Sequence, residues 1–318
     1  MRILANTKNM PREEWLAWRK KGIGGSDAGA ICGLNPYATP YTVWADKTGR
    51  LPEKEDTESM RQGRDLEEYV ARRFCEYTGK KVRRKNATIQ HENIPYMLAN
   101  IDREVIGEHA GLECKTTSIM NLRKFRNGEF PDQYYVQCIH YLAVTGWDRW
   151  YLAVLILNQG FYVFTIERDE EEIRALIEAE QEFWKTYIVP DKAPPVDGHM
   201  ATGEAIDKIF KGSGGCCELL SDDKLLENLQ SLKKARQQLN TEIRKLEQAL
   251  KSELGEYETG YCGRYEVRWR RSKRASVSRE LLLKRYPKID LSKVMKISDI
   301  RRFAVIDRKE SDKRNAVD

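Results

Sequence analysis

A carboxylate, ten residues, then Glu-x-Lys is the feature that most narrows what this chain can fold into. Residues 102–115 read Asp-Arg-Glu-Val-Ile-Gly-Glu-His-Ala-Gly-Leu-Glu-Cys-Lys. Strand side chains alternate with period two, so Glu113 and Lys115 share one face of a strand while Cys114 turns the other way, into packing. Gly107 and Gly111 bracket a turn before residues 112–117, and the apolar run 96–101 puts Asp102 at the end of the preceding strand.

The periodicities around this stretch supply helices. Residues 12–21 carry Trp15, Leu16 and Trp18 at helical spacing and stop at Gly22-Ile-Gly-Gly-Ser26-Asp27. Ser26 is placed to cap a short second helix through Ala30 and Ile31, ended by Gly33. The glycines let backbone N–H groups converge on an anion, but the Gly-Lys-Ser/Thr of a phosphate loop is missing, and a plain helix corner explains the stretch equally well. Residues 57–78 repeat Met60, Leu66, Val70 and Phe74 on a helical period, with Glu67 and Glu68 beside the stripe. Further helices are expected over residues 119–127 and 131–144, closed by Gly128 and Gly146, the second carrying Gln137 and Tyr141 one turn apart. A hairpin over 150–157 and 161–166 turns at Asn158-Gln159-Gly160, and 170–188 reads as a long amphipathic helix. This order implies an α/β core, a mixed sheet flanked by helices, over residues 1–189.

Three prolines between 190 and 196 and the glycines at 212, 214 and 215 make 190–221 read as a linker with one short helix. Beyond it Leu225, Leu229, Leu232, Leu239, Ile243, Leu246 and Leu250 follow a heptad spacing interrupted by Arg236 and stopped by Gly255. A coiled coil, a helical hairpin or an ordinary amphipathic helix all fit. Tyr265, Val267 and Trp269 then alternate with Glu266, Arg268 and Arg270, a small β element that either meets nucleic acid or packs its aromatics on the helix. Residues 222–318 hold 25 Lys and Arg against 16 Asp and Glu, a net +9, while residues 1–221 are net −3. Attraction to polyanions is therefore weighted to this basic C-terminal domain.

No apolar run approaches the length of a membrane span and residues 1–10 lack a signal-peptide core, so no membrane association and a cytoplasmic location are expected. The seven cysteines are odd in number and form no C-x-x-C pair, which fits reduced thiols; adjacent Cys216 and Cys217 suit a zinc site poorly.

Hydrolysis of a phosphodiester requires neutralised phosphate charge, hydroxide near neutral pH and a stabilised leaving oxygen, which clustered hard carboxylates holding Mg²⁺ supply. Asp102 would bridge one or two ions, Glu113 would ligate the first with the backbone carbonyl of Cys114, and Glu67 would serve the second ion or a water. Such an oxygen-rich set suits Mg²⁺ or Mn²⁺. Lys115 would orient the attacking water and hold the phosphate. Glu-x-Lys alone is a weak signal, and a structural salt-bridge set remains open.

The combination of Trp15 to Arg19, Gly22-Ile-Gly-Gly-Ser26-Asp27, Gly63-Arg-Asp-Leu-Glu67, Asn100-Ile-Asp102, Leu112-Glu113-Cys-Lys115 and Tyr134-Tyr-Val-Gln137 resembles the YqaJ-type viral recombinases. These are phage nucleases similar to lambda exonuclease, of the PD-(D/E)xK, restriction-endonuclease-like superfamily. The resemblance spans about residues 10–190. It implies Mg²⁺-dependent 5′ to 3′ degradation of linear double-stranded DNA to leave 3′ single strands for recombination. It further implies a ring-like homo-oligomer, a trimer or tetramer, and a single-strand annealing protein as partner, in the bacterial host of a phage or prophage. Asp102, Glu113 and Glu67 would be the acids, Lys115 would activate water, Gln137 would lie near water or phosphate, and Arg19 and Ser26 would hold the 5′-phosphate of the DNA end. Two positions depart from the pattern: Asn100 replaces a phosphate-contacting Ser, and Ile101 replaces the Pro before the acid.

A structure- or site-specific endonuclease would use the same residues. A non-catalytic DNA-binding scaffold would rely on the basic C-terminal third. An iron-sulfur nuclease lacks its four spaced cysteines.

Overall fold

The computed structural model describes residues 1–53, 56–212, 214–217, 222–273, 278–286 and 289–291. It forms two compact units, Met1–Lys211 and Gly212–Asp318. Ser213, Arg274 and the basic stretch after residue 291 lie outside the described residues.

The first unit is built on a five-stranded mixed sheet. Its strands are β2 (Val82–Arg84), β5 (Arg103–Val105), β6 (Ala110–Thr117), β7 (Arg149–Ile156) and β8 (Gly160–Glu167), adjacent in that order. Only β6 and β7 run parallel. A parallel pair needs a crossover, and it is made by a 3₁₀ helix, Ile119–Phe125, followed by α5 (Asp132–Thr145).

Helices cover both faces of this sheet. On one, α4 (Glu58–Thr78) lays Val70, Ala71 and Phe74 against Leu112, Tyr151 and Ala153. Thr57 accepts the Met60 N–H at its start, and Gly79 ends it at φ +73°. On the other face α5 and α6 (Glu170–Phe183) set Ile139, Leu142, Ile173 and Leu176 against Trp150, Leu152, Val154 and Ile156. Every residue of α5 from Gln137 to Thr145 is buried. Such a helix is surrounded by protein, not half-exposed.

Gly111, expected to close a turn, lies inside β6. A Cβ there would stand 2.3 Å from the Trp150 ring, so the glycine lets the indole pack flat on the strand. The turn itself falls at Gly107, at φ +86°.

A second, antiparallel sheet joins β1 (Arg2–Asn6), β3 (Ala87–Gln90) and β4 (Leu98–Ala99). The apolar run 96–101 thus contributes only a two-residue strand. Its hydrogen bonds go to β3 and to Ile23, whose N–H donates to the Tyr96 carbonyl and whose carbonyl accepts from Leu98. Asp102 therefore stands in the step between β4 and β5, not at the end of a long strand.

The first unit also extends past residue 189. The expected short helix, α7 (Met200–Ile209), docks on α3 (Pro40–Lys47): Thr202 and Thr39 share a buried hydroxyl hydrogen bond of 2.8 Å, and Ala205 packs with Tyr41, Trp44 and Phe183. Residues 190–211 belong to the first unit, where prolines had suggested a linker. In the second unit α8 (Asp223–Leu254) is one 32-residue helix, followed by the antiparallel pair β9 (Thr259–Cys262) and β10 (Tyr265–Arg268) and by α9 (Arg279–Arg285). Tyr261, Tyr265 and Trp269 remain exposed there.

His140 pins α5 in place from the middle of the core. Its Nδ1 lies 2.7 Å from Glu180 Oε1 on α6 and its Nε2 donates to the Leu98 carbonyl of β4 at 2.9 Å. Burial disfavours the imidazolium, but Glu180 and the hydrogen bonds outweigh it and hold the His140 pKa above its ordinary 6.5. A raised histidine pKa stabilises the fold fully below pH 6.5 and loses that contribution as pH rises through the folded value. Urea unfolding should show stability declining above about pH 6.5 in the wild type, with the slope absent in His140→Gln. His140→Ala, which strands the Glu180 carboxylate, should cost about 3–5 kcal/mol.

Candidate active site

Four of the residues singled out in the sequence meet in one hydrogen-bonded cluster at the β5–β6 junction. Arg103 pairs with Leu112 across the strands, so the residue before it, Asp102, approaches the position opposite Glu113. The Cys114 N–H donates to Asp102 Oδ2 at 2.8 Å. Glu113 and Lys115 share the α5 face of β6, with Lys115 Nζ 2.6 Å from Glu113 Oε1. From α5, the Gln137 Nε2 donates to Glu113 Oε1 at 2.7 Å while its Oε1 accepts from Lys115 at 3.0 Å. One carboxamide thus fixes a carboxylate and an ammonium. Tyr141, one turn on, is 2.8 Å from the same Nε2 and donates to the Asn100 carbonyl at 3.3 Å.

The electrostatics of this cluster call for a cation. Burial, then the nearby charges of Glu113 and Glu67, push the Asp102 pKa well above the usual carboxylate range. Glu113 is buried, and its Oε2 has no hydrogen-bond partner among the described residues. A buried partnerless carboxylate oxygen is costly unless something positive meets it. Lys115 remains protonated: burial works against the ammonium, but Glu113 and Asp102 outweigh it and raise its pKa. It serves as a fixed positive charge, not as a proton acceptor. Cys114 faces the α4 side as expected, its thiol kept neutral by burial.

Glu67 is placed differently. It lies on α4, over the opposite face of the sheet, and forms an ion pair there with Arg103 of β5. Arg103, 3% exposed, also holds Glu68 at 3.0 Å and the Asp102 carbonyl at 2.8 Å. No three carboxylate, thiol or imidazole side chains among the described residues converge closely enough to hold an ion by themselves. The oxygen donors for an ion are Asp102, Glu113 and the neighbouring backbone, with Glu67 at the margin. Neither Arg103 nor Tyr141 was assigned a role from sequence. The available signal for Arg103 was a cation adjoining the acid on a strand.

The glycine-rich corner adjoins this cluster. Helix α1 (Arg12–Lys20) ends at Arg19 and Lys20, and α2 (Gly25–Ile31) begins at Gly25. Ser26 does not cap α2. Gly24 stands at the cap, its N–H donating to Asp27 Oδ2 at 2.9 Å, and the Ser26 hydroxyl instead accepts from Arg19 Nη2 at 2.8 Å. Arg19 also lies over the Trp15 ring at 4.9 Å. Lys47, buried, reaches Asp27 at 2.6 Å and the Arg19 carbonyl at 2.9 Å. Burial opposes the Asp27 carboxylate, yet Lys47 and Arg19 hold its pKa below the usual value. Asn100, expected as a departure from a phosphate-contacting Ser, has its Oδ1 taken by the Thr88 hydroxyl at 2.9 Å, and Ile101 is buried in the core.

A curated relative, an uncharacterized protein YqaJ of Bacillus subtilis (strain 168), is 37% identical over 309 residues, covering 95% of this chain and 97% of its own. The YqaJ-like viral recombinase domain matches residues 14–148. The chain belongs to the YqaJ-like viral recombinase family. Among solved structures, LHK-Exo in complex with dAMP is 19% identical over 56% of this chain and 93% of its own, with a TM-score of 0.48. An alkaline exonuclease (LHK-Exo) from Laribacter hongkongensis is 21% identical over 56% of this chain and 98% of its own, with a TM-score of 0.43. No helix among the described residues is long and apolar enough to cross a membrane.

The matched segment includes the corner, the acids and Gln137, and one glycine joins them. A Cβ on Gly25 would stand 2.7 Å from the Tyr141 ring and 3.1 Å from the Gln137 side chain, whereas on Gly24 it would meet nothing closer than 3.6 Å. Gly25→Ala should therefore destabilise by about 1–3 kcal/mol, measured by urea unfolding, and Gly24→Ala by less than about 1 kcal/mol.

Proposed function

We propose that this chain is a divalent-metal-dependent deoxyribonuclease that degrades linear double-stranded DNA from the 5′ end, leaving 3′ single strands for recombination by annealing. The observation that carries the reading is the pairing of two desolvated carboxylates, one with a partnerless oxygen, beside a lysine that stays charged. Family membership supports it, and exonucleases occur among the structural neighbours.

Asp102, Glu113 and the Cys114 carbonyl would hold Mg²⁺ or Mn²⁺, with Glu67 recruited from Arg103 for a second ion or a bound water. The ion would supply charge neutralisation at the scissile phosphate and a hydroxide near neutral pH. Lys115 contributes a fixed ammonium for a phosphate oxygen and a donor to orient the attacking water. Gln137 keeps Lys115 and Glu113 in register through its two amide ends, and Tyr141 keeps Gln137 from rotating. Arg19, with the Ser26 hydroxyl, offers the 5′-phosphate of a DNA end a guanidinium already held by stacking on Trp15. A ring-like trimer or tetramer would retain the duplex, and a single-strand annealing protein would receive the product.

The test compares end-labelled linear with covalently closed circular duplex in Mg²⁺, in Mn²⁺ and in chelator. Linear DNA should be degraded from its 5′ ends only with metal, and the closed circle should survive. Asp102→Ala and Lys115→Ala should each lower turnover on the order of 10³-fold with unchanged circular dichroism. Cutting of the closed circle would replace the exonuclease by an endonuclease. Undiminished activity in both variants would discard this site, and no activity under any condition would favour a DNA-binding scaffold.

A further inference from the structure

Helix α8 carries an apolar seam along its length that its own unit leaves bare among the described residues. Leu225, Leu232, Leu239, Ile243, Leu246 and Leu250 are 45–68% exposed, and only Leu254, at the C-terminal end, is buried. A 32-residue helix is normally held by packing of its apolar face, since helical propensity alone contributes little. A continuous exposed stripe of leucines marks an interaction surface. With Leu229 and Arg236 included, the steps from Leu225 to Leu250 alternate four and three. Leu225, Leu232, Leu239 and Leu246 occupy one core position of a heptad, and Leu229, Arg236, Ile243 and Leu250 the other. In heptad terms the first set is d and the second a. The seam is two positions in seven, the width that a single partner helix covers.

We propose that this seam is covered by α8 of a second copy of the same chain, the two helices pairing as an antiparallel two-stranded coiled coil. Charge selects the orientation. In a parallel pair, the two Arg236 side chains would meet in one core layer, and Glu242 at position g would face Glu247 at position e of the other helix. Both contacts repel. With the helices antiparallel and the whole seam overlapped, Leu229 lies across from Leu246 of the second copy, Arg236 from Leu239, Ile243 from Leu232 and Leu250 from Leu225. Each arginine then meets a leucine and extends its guanidinium past Asn240 of the second copy toward water.

The flanks agree. In an antiparallel pair e positions face e positions, and side chains lean toward their own N-termini, which brings Lys233 to Glu247 of the second copy and, by the two-fold axis, Glu247 to Lys233. Asn240 meets its own copy beside the axis, and Leu226 meets Leu254. At the g flank Glu242 faces only Ala235. One sequence read against its own reverse satisfies every layer, which a partner of unrelated sequence has no reason to do. The pairing uses no residue of the acidic site and stands or falls apart from the nuclease reading.

The experiment uses the full chain with its exposed cysteines removed by Cys216→Ser, Cys217→Ser and Cys262→Ser. In that background Asn240→Cys should form a disulfide-linked dimer under mild oxidation, because the two positions adjoin the two-fold axis. Leu232→Cys should not, because antiparallel packing separates its two copies along the coil. Adding Leu239→Asp and Ile243→Asp should abolish the Asn240→Cys cross-link. Without the reporter cysteine, these two substitutions should lower the assembly mass in sedimentation equilibrium while circular dichroism is unchanged, both positions being exposed. Cross-linking of Leu232→Cys without Asn240→Cys would overturn the antiparallel arrangement. An assembly mass unchanged by Leu239→Asp and Ile243→Asp would overturn self-pairing and leave the seam to another segment or another protein.

Discussion

Two carboxylates withdrawn from water within reach of each other are the constraint to which the first unit is fitted. Glu113 is buried on β6 and Asp102 stands beside it in the step before β5, where desolvation and the neighbouring Glu113 and Glu67 resist ionisation of Asp102. The compensating groups come from two layers: the Cys114 N–H and Lys115 from the sheet, the Gln137 carboxamide from α5. Hydrogen bonds of this kind weaken within a few tenths of an ångström, so sheet and helix must be seated closely. The close approaches at Gly25 and Gly111 and the buried His140–Glu180 contact are the means of that seating. A polar site of this type explains why α5 is buried on every side from Gln137 onward.

The glycine-rich corner follows a related rule with the opposite result. Three charged groups, Arg19, Asp27 and Lys47, crowd together, but Asp27 is committed to Lys47 and to the Gly24 N–H. What remains is one positive charge on Arg19, resting on a hydroxyl. An anion bound there, as proposed for a DNA end, would displace only Ser26 from the guanidinium. The Asp27–Lys47 pair that holds the turn together is left intact.

Local patterns carried much of this into view. Period-two alternation placed Glu113 and Lys115 on one face and Cys114 on the other, and helical spacing located α4 and α6, and with Gly146 α5, to within a few residues. The features that escaped depend on partners distant in sequence. The strand before Asp102 is cut to two residues because its neighbours are Ile23 and β3. The helix after the prolines belongs to the core because Thr202 finds Thr39. Ser26 is drawn from the capping position by Arg19, and Glu67 from the acids by Arg103. In each case an ordinary local preference yields to a longer-range polar contact. The resemblance to a phage recombinase family, read from ordered motifs and not from any one spacing, identified the family correctly.

The hold of Arg103 on Glu67 has a consequence for how the site can change state. A buried guanidinium that depended on one carboxylate would be stranded by its loss, at a cost comparable to breaking a buried ion pair. Arg103 is not in that position, since Glu68 and the Asp102 carbonyl remain on it when Glu67 leaves. The exchange therefore forfeits about one charge-assisted hydrogen bond, on the order of 1.5–3 kcal/mol. A single additional favourable contact for Glu67 is enough to tip such a balance. On the proposed reading β5, second strand from the sheet edge, would act as a two-position latch that releases Glu67 while Asp102 and Glu113 stay set by the surrounding core.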